Sequence, residues 1–349
     1  MIDIVNIKIN QEMLNIISEI DQFKVYWETL KNTNLSKLNN LHKIATIESI
    51  GSSNRIEGNK LSDIEVEKIL NNINLNSFQN RDEQEVLGYA KLMNCIYNEY
   101  EYISFSENYI KQLHKILLSF FQKDEFHKGE YKKISNSVSA FDPNGKEIGI
   151  IFKTDSPFET PIKMKQLFQF MNERMKDKTI HPIILIGVFI VHFLAIHPFQ
   201  DGNGRLSRAI TTLLLLKFGY SYVVYSSIET VIEENKSAYY ISLRTTQKTF
   251  SETPDYTSWL TFFLQSLKRQ KIRLENKINK QNVSNNFNLP LLASKILYQF
   301  NEKNIWTTAE LSEVLKIKNI TIKKNLAYLV KNGLIKKNGS TRGAWYEKV

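Results

Sequence analysis

Residues 197–208 read HPFQDGNGRLSR and bring one His, one Asp, one Asn, two Gly and two Arg into twelve positions. The segment follows a long apolar run and precedes RLSRAITTLLLLKFG, a helical pattern that Gly219 ends. Two glycines let the backbone turn sharply and leave amide N–H groups exposed. Those amides fall at the start of the second helix, where the macrodipole favours an anion. Arg205 and Arg208, three apart, share one helix face and carry forked donors suited to phosphate oxygens. Asp201 can hold the Mg²⁺ that a polyphosphate brings with it. The chemistry implied is a cradle for nucleotide phosphates, with His197 placed as a general base toward a group attacking the bound phosphate.

The elements around this stretch read as helices. The run HPIILIGVFIVHFLAIHPF has an uncharged part, Pro182 to Ile196, shorter than the ~20 residues of a membrane span, and His192 interrupts it. It is expected to be a buried central helix of a soluble protein without a membrane partner. Further helical patterns cover 83–98, 106–121, 160–176, 205–218, 229–249 and 255–281. Upstream, LSKLNNLHKIATIESIGSSNRIEGNKLSDIEVEKILNN has apolar residues at three- and four-residue spacing; Glu57-Gly58-Asn59 predicts a stop, and Ser62 with Glu65 a capping box for the next helix. One region breaks the pattern: YKKISNSVSAFDPNGKEIGIIFKTDSPFETP holds a Pro-Asn-Gly turn and the β-rich IGIIF, expected as a hairpin flap.

Composition bounds the rest. With 42% hydrophobic residues and 40 aromatics among 349 residues the chain can bury a core, and two or three units are expected. Cys95 is the only cysteine, which excludes an internal disulfide and a cysteine-based zinc site and fits a reducing cytoplasm. The N-terminus shows no signal-peptide pattern. The net charge of +10 is uneven, since residues 268–349 carry 17 Lys or Arg against 5 Asp or Glu.

The stretch HPFQDGNGR resembles the signature of the Fic (filamentation induced by cAMP) family at every defined position, and Arg208 matches the second arginine that usually follows. The similarity extends over roughly 40–250. It implies transfer of AMP from ATP to a Ser, Thr or Tyr hydroxyl of a target protein. On that model His197 deprotonates the hydroxyl, and Asp201 holds Mg²⁺. Asn203 binds the α-phosphate with the amides of Gly202 and Gly204, and Arg205 and Arg208 neutralise the leaving pyrophosphate. Phe199 packs in the core and fixes the loop. A branch that transfers phosphate instead has Lys at the position of Gly204, so Gly204 favours AMP transfer; UMP and phosphocholine transfer stay open. In EENKSAYYISLRTTQ, Tyr239 and Tyr240 match the adenine side of the pocket, and Gln247 stands where an Asn is often found.

A second segment, SSNRIEGN at 52–59, matches the family's inhibitory motif through Ser53, Glu57 and Gly58. The resemblance implies a self-inhibited enzyme in which Glu57 pairs with Arg208 in place of the γ-phosphate. In some relatives that glutamate also removes AMP. The flap, 146–153 with Ile150, Ile151 and Phe152, would pair its backbone with the target segment. Family members commonly self-associate, which adds a homodimer to the expectations.

The C-terminal segment has its own plan. Helices at 290–302, 308–315 and 319–332 precede two strands joined by NGSTRG, a winged helix-turn-helix order. Its basic surface suits a phosphate backbone, with Thr321, Lys323, Lys324 and Asn325 on the third helix and Arg342 on the wing, or else a protein contact. The expected fold is mainly α: a Fic-type helical bundle with a small β-hairpin flap, plus the winged helix-turn-helix domain. Boundaries are expected at 1–85 (N-terminal helical region), 86–276 (catalytic core), 277–289 (linker) and 290–349. Two functions are therefore in view: a self-inhibited adenylyltransferase, or a DNA-binding regulator that uses the helical body as a nucleotide sensor.

Overall fold

The structure is a computed structural model that describes residues 7–30, 35–71, 80–121, 126–141, 147–285, 291–300, 303–331, 333–339 and 344–348. The chain divides into two compact units, Met1–Glu275 and Asn276–Val349.

In the first unit α1 (Gln11–Leu30) and α2 (Leu35–Ile56) are followed by α3 (Asp63–Asn71), α4 (Arg81–Glu99) and α5 (Glu107–Leu117). The strands β1 (Ser137–Phe141) and β2 (Glu147–Lys153) then form a hairpin. Next come α6 (Thr160–Asp177), α7 (Pro182–Ile196) and α8 (Asn203–Lys217), then a 3₁₀ turn (Ser221–Tyr225), α9 (Ile228–Glu234), α10 (Lys236–Gln247) and α11 (Thr257–Asn285). α7 is the core. Twelve of its fifteen residues are buried, so it has no solvent face, and it packs against α6 and α8. His192 fits within it because Nε2 meets the Tyr256 hydroxyl at 2.8 Å and the ring stacks on Phe250. No helix among the described residues is long and apolar enough to cross a membrane.

α2 is stopped where the sequence places the stop: Gly58 takes φ +103°, open to glycine, and the Asn59 amide turns back to the Asn54 carbonyl. Ser62 and Glu65 make the reciprocal cap that opens α3. α2 buries Leu41, Ala45 and Ile50 and meets α9 through polar contacts: Ser49 donates to Glu229 (2.8 Å), Ser52 meets Thr230 (3.0 Å), and Arg55 is forked onto Glu233 (2.7 and 3.0 Å) while also reaching Asp63 (2.9 Å).

Several expectations need correction. The helix expected over 229–249 is two, broken at Asn235, whose side-chain amide caps the Val231 carbonyl. α5 ends at Leu117 rather than 121. The linker expected at 277–289 is helical through Asn285, because that stretch holds neither Gly nor Pro until Pro290. Strands β1 and β2 pair antiparallel with two register shifts, and the turn between them lies outside the described residues.

The second unit continues with α12 (Leu291–Gln299), β3 (Ile305–Thr307), α13 (Thr308–Leu315), α14 (Asn319–Lys331), β4 (Ile335–Asn338) and β5 (Trp345–Lys348). It has three strands where two were expected, in the order β3-β5-β4, all antiparallel. The addition is Ile305–Thr307, too short to stand out as a strand, which also supplies Thr307 as the capping-box residue of α13. Ala293, Ile296, Phe300, Trp306, Leu311, Ile322, Leu326 and Leu329 form its own core.

Candidate active site

α7 ends at the histidine. His197 adopts the left-handed conformation (φ 53°, ψ 61°), and its amide bonds the Phe193 carbonyl at 2.9 Å. Its Nδ1 lies 3.3 Å from the Leu194 carbonyl, so Nδ1 carries the proton and Nε2 is the ring's acceptor position. Burial lowers His197 to about 4, with the Lys132 cation acting in the same direction, so the ring is neutral at ordinary pH. A neutral imidazole with its basic nitrogen directed away from the backbone can take a proton.

The loop after it is clamped from two sides. Phe199 is fully buried and stacks on His114, ring centroids 3.9 Å apart and 12° from parallel. The Gly129 amide donates to His114 Nδ1 (2.9 Å), which leaves His114 Nε2–H to donate to the Asp201 carbonyl (3.0 Å). Burial holds His114 at about 4, in keeping with this neutral bridging role. Gly202 takes φ +79°, and a Cβ there would come within 3.0 Å of Leu117.

The Asn203 side chain closes the loop on itself: the Phe199 amide donates to its Oδ1 (2.9 Å) and its Nδ2 donates to the Phe199 carbonyl (2.7 Å). Asn203→Ala is therefore expected to lower stability by about 1–3 kcal/mol, read as a shift in the denaturant midpoint, because the buried Phe199 amide loses its acceptor.

α8 begins at Asn203 and carries both arginines inward. Arg205 is 1% exposed; its Nη2 lies 3.4 Å from Asp201 Oδ1 and its Nη1 3.6 Å from Glu85, while Nε and Nη1 are buried without a hydrogen bond. Arg81, at the start of α4, reaches Asp201 Oδ2 at 3.2 Å and Glu85 at 3.0 Å. Burial would raise the Asp201 carboxyl, but Arg205, the Gly202 amide and Arg81 outweigh it and hold it below its usual value. Among the described residues no group of three or more His, Cys, Asp or Glu could hold a metal by itself. A single ionised carboxylate whose side chain is 41% exposed nevertheless fits Mg²⁺, which leans on substrate phosphates and water.

Arg208 is already occupied. Its Nε donates to Ser53 Oγ (2.9 Å), and its Nη2 donates to the Ser53 carbonyl (2.8 Å) and to Glu57 Oε1 (2.8 Å). The guanidinium is 2% exposed and its Nη1 has no hydrogen-bond partner. Glu57 lies directly over Gly204, where a Cβ would stand 2.1 Å from Glu57 Oε1. The turn carrying Glu57 is also tied to α4, as Asn59 Nδ2 donates to the Asp82 carbonyl (3.0 Å). Tyr239 is buried near Arg208; burial pushes its hydroxyl up to about 12 even though the Arg208 charge opposes that. Tyr240 packs on Tyr239, ring centroids 5.1 Å apart. Gln247 Nε2 points to the Val191 carbonyl at 3.5 Å, and its Oε1 is buried without a partner.

Residues 104–215, from just before α5 to near the end of α8, match the Fic/DOC family model. They are a Fic domain. That domain contains His197, Asp201, Arg205 and Arg208, whereas Glu57 and the two tyrosines come from helices outside the match. The protein adenylyltransferase Fic of Aedes aegypti is 28% identical over 211 residues, covering 59% of this chain and 39% of the relative. Its counterpart from Drosophila mojavensis is 25% identical over 232 residues, covering 65% and 42%. The chain thus spans about two fifths of the length of these relatives. A Fic family protein from Desulfovibrio desulfuricans shares the fold with a TM-score of 0.59 at 21% identity, covering 98% of this chain and 97% of that one. A Fic domain containing signaling protein from Bacteroides thetaiotaomicron does so with a TM-score of 0.61 at 22% identity, covering 75% and 97%.

Around the Fic domain's loop several residues carry the geometry without a sequence signal: His114, Arg81, Glu85, Lys132 and Asn136. Each acts across 60 to more than 100 residues of chain, beyond any local spacing. Ile150, Ile151 and Phe152 lie on β2, with Ile150 paired to Ser139 and Phe152 to Val138. In the second unit Thr321, Lys323 and Lys324 are exposed on α14, Asn325 is buried with its amide on the Thr321 carbonyl (2.8 Å), and Arg342 lies outside the described residues.

Proposed function

We propose that this chain is a self-inhibited protein adenylyltransferase. The observation that carries this reading is Glu57 on Arg208 above Gly204, beside a neutral His197 in a Fic domain. In the reaction His197 Nε2 takes the proton of a Ser, Thr or Tyr hydroxyl. The oxygen attacks the α-phosphorus of ATP, the bond to the β-phosphate bridging oxygen breaks, and pyrophosphate leaves while AMP stays on the protein as a phosphodiester. The amides of Asn203 and Gly204 at the α8 N-terminus support the phosphate charge, while the Gly202 amide holds Asp201 Oδ1. Arg205, with two unsatisfied donors, and Arg208, once freed of Glu57, take charge on the leaving group. Asp201 would hold Mg²⁺, which supplies neutralisation of the polyphosphate when bound. Tyr239 and Tyr240 line the base side, and the unpartnered Gln247 Oε1 supports a donor contact there. The backbone of β2 around Ile150 to Phe152 offers an edge for the target strand, with specificity left to the target. Glu57 is also the residue to test for AMP removal.

The test supplies ATP labelled at the α-phosphate and, in parallel, at the γ-phosphate, to the Glu57→Gly variant with Mg²⁺. Protein labelled from the α-position alone supports AMP transfer; label from the γ-position means phosphate transfer and overturns it.

A second reading concerns the Asn276–Val349 unit as a winged helix-turn-helix. A groove of about 870 Å³ there is lined by Lys323 and Lys331 of α14, Lys337 of β4, Asn319 and Tyr346, with no acidic residue among the described residues that line it. This supports contact with a phosphate backbone, through which the chain would act as a DNA-binding regulator. Duplex DNA affinity of the full chain that falls steeply with salt, and falls less steeply in Lys323→Ala, is the expected result; salt-insensitive or absent binding favours a protein contact or a homodimer instead.

A further inference from the structure

The carbonyls of Ile196, Pro198 and Phe199, which bracket His197, are each held from one short stretch before β1. The Lys132 amide donates to Pro198 (2.9 Å), Lys132 Nζ donates to Ile196 (2.9 Å), and Asn136 Nδ2 donates to Phe199 (2.9 Å). Lys132 is 2% exposed, and its ammonium uses all three of its donors, the other two going to Asn136 Oδ1 and Thr154 Oγ1, both at 2.9 Å. Thr154 Oγ1 in turn donates to the Asn136 carbonyl at 2.6 Å. Asn136 immediately precedes β1 and Thr154 immediately follows β2, so the same knot closes the root of the hairpin.

A cation suits this place. Ile196 is the last residue of α7, and its carbonyl belongs to the orphan acceptors at the negative end of the helix. A neutral side chain would leave that carbonyl and two more acceptors short of donors. Burial brings Lys132 down to about 8, against the pull of Asp155 and Glu159, so it remains largely charged at neutral pH.

We propose that Lys132 is a positioning residue for His197, one buried cation that fixes the backbone on both sides of the base and ties it to the root of the flap. The inference rests on His197 acting as the general base in AMP transfer. The aim of the ring and the seating of the flap then share an anchor, and the hydrogen bonds of Lys132 go to Ile196, Pro198, Asn136 and Thr154, none of them directly to Arg205, Arg208 or the amides at the start of α8. The charged groups acting on His197 are Lys132, Glu57 and Asp201. Of these three Lys132 opposes protonation, so removing it moves the acid limb of the rate, set near 4 by the buried ring, upward.

The experiment follows α-labelled ATP onto protein as a function of pH in a Glu57→Gly background. Lys132→Met is expected to lower transfer at pH 7 by about 10–100-fold. It should move the acid limb up by about one unit. Lys132→Arg should keep the limb in place, and ATP affinity should stay the same in both. An acid limb unmoved in Lys132→Met, or one moved equally by Lys132→Arg, overturns the proposal. If Lys132→Met does not fold, Thr154→Val removes one acceptor from the ammonium and is expected to slow transfer at unchanged ATP affinity; full activity there overturns the proposal. Absence of transfer in the Glu57→Gly parent would count against the AMP reading alone. Titration of the His197 imidazole by ¹⁵N NMR, expected to shift upward in Lys132→Met and to stay in Lys132→Arg, then decides the role of Lys132 without any activity.

Discussion

His197→Ala, introduced into a chain already lacking Glu57, is expected to cut AMP transfer by about 10²–10⁴-fold while ATP affinity stays as it was. Both halves follow from where the ring sits. It projects from the end of α7, with Nδ1 committed to the Leu194 carbonyl. On the proposed reading the phosphate donors are instead at the start of α8: the Asn203 and Gly204 amides, Arg205 and Arg208. Transfer measured with α-labelled ATP and affinity measured by nucleotide titration should therefore separate. A variant that loses affinity in proportion to activity would mean that His197 shapes the pocket rather than moving the proton.

Glu57→Gly in an otherwise unaltered chain is expected to raise transfer by about 10–100-fold. The Glu57–Arg208 contact is a charge-assisted hydrogen bond at 2.8 Å whose arginine is buried and whose carboxylate is 32% exposed. Such bonds contribute about 1.5–3 kcal/mol, and each 1.4 kcal/mol is about tenfold in a population. Glycine at 57 removes the carboxylate without adding bulk over Gly204, and the turn keeps its Asn59 link to α4. Arg208 would remain held by Ser53 and so keep its aim. A Glu57→Gly chain as silent as the parent would remove the inhibitory reading and turn attention to the Asn276–Val349 unit.

Much of this site could be read from residue order because its parts are local. His197 through Arg208 lie within twelve residues, and the glycines and the helix start that expose the amides are adjacent to them. The stop of α2 and the cap of α3 were legible for the same reason, since the first needs a glycine at one position and the second a Ser and a Glu three apart. What the sequence hid was tertiary. Asn203 stands out by its place in the motif, but nothing local shows that its side chain bonds the Phe199 backbone once the loop folds back on His114. Lys132 reads as one lysine among many until the fold brings Ile196 to it across 64 residues. β3 was missed because three residues carry no periodicity, and the end of α11 was missed because composition suggested a linker where nothing breaks a helix.

The seat of Glu57 has a thermodynamic consequence. An anion that engages Arg208 Nη2 must displace the carboxylate already bonded there, so nucleotide and latch exclude one another at that nitrogen. On the proposed reading, a nucleotide that requires this nitrogen would bind with its intrinsic affinity multiplied by the fraction of molecules with the latch open; with one molecule in about fifty open, binding would be about fifty-fold weaker than the pocket itself allows. Linkage makes this reciprocal. Whatever strengthens the Glu57–Arg208 contact would weaken such binding by the same factor. Saturating nucleotide would loosen that contact to the same degree. Hydrogen exchange of the amides around Glu57 and the dissociation constant for ATP would thus be two measurements of one equilibrium.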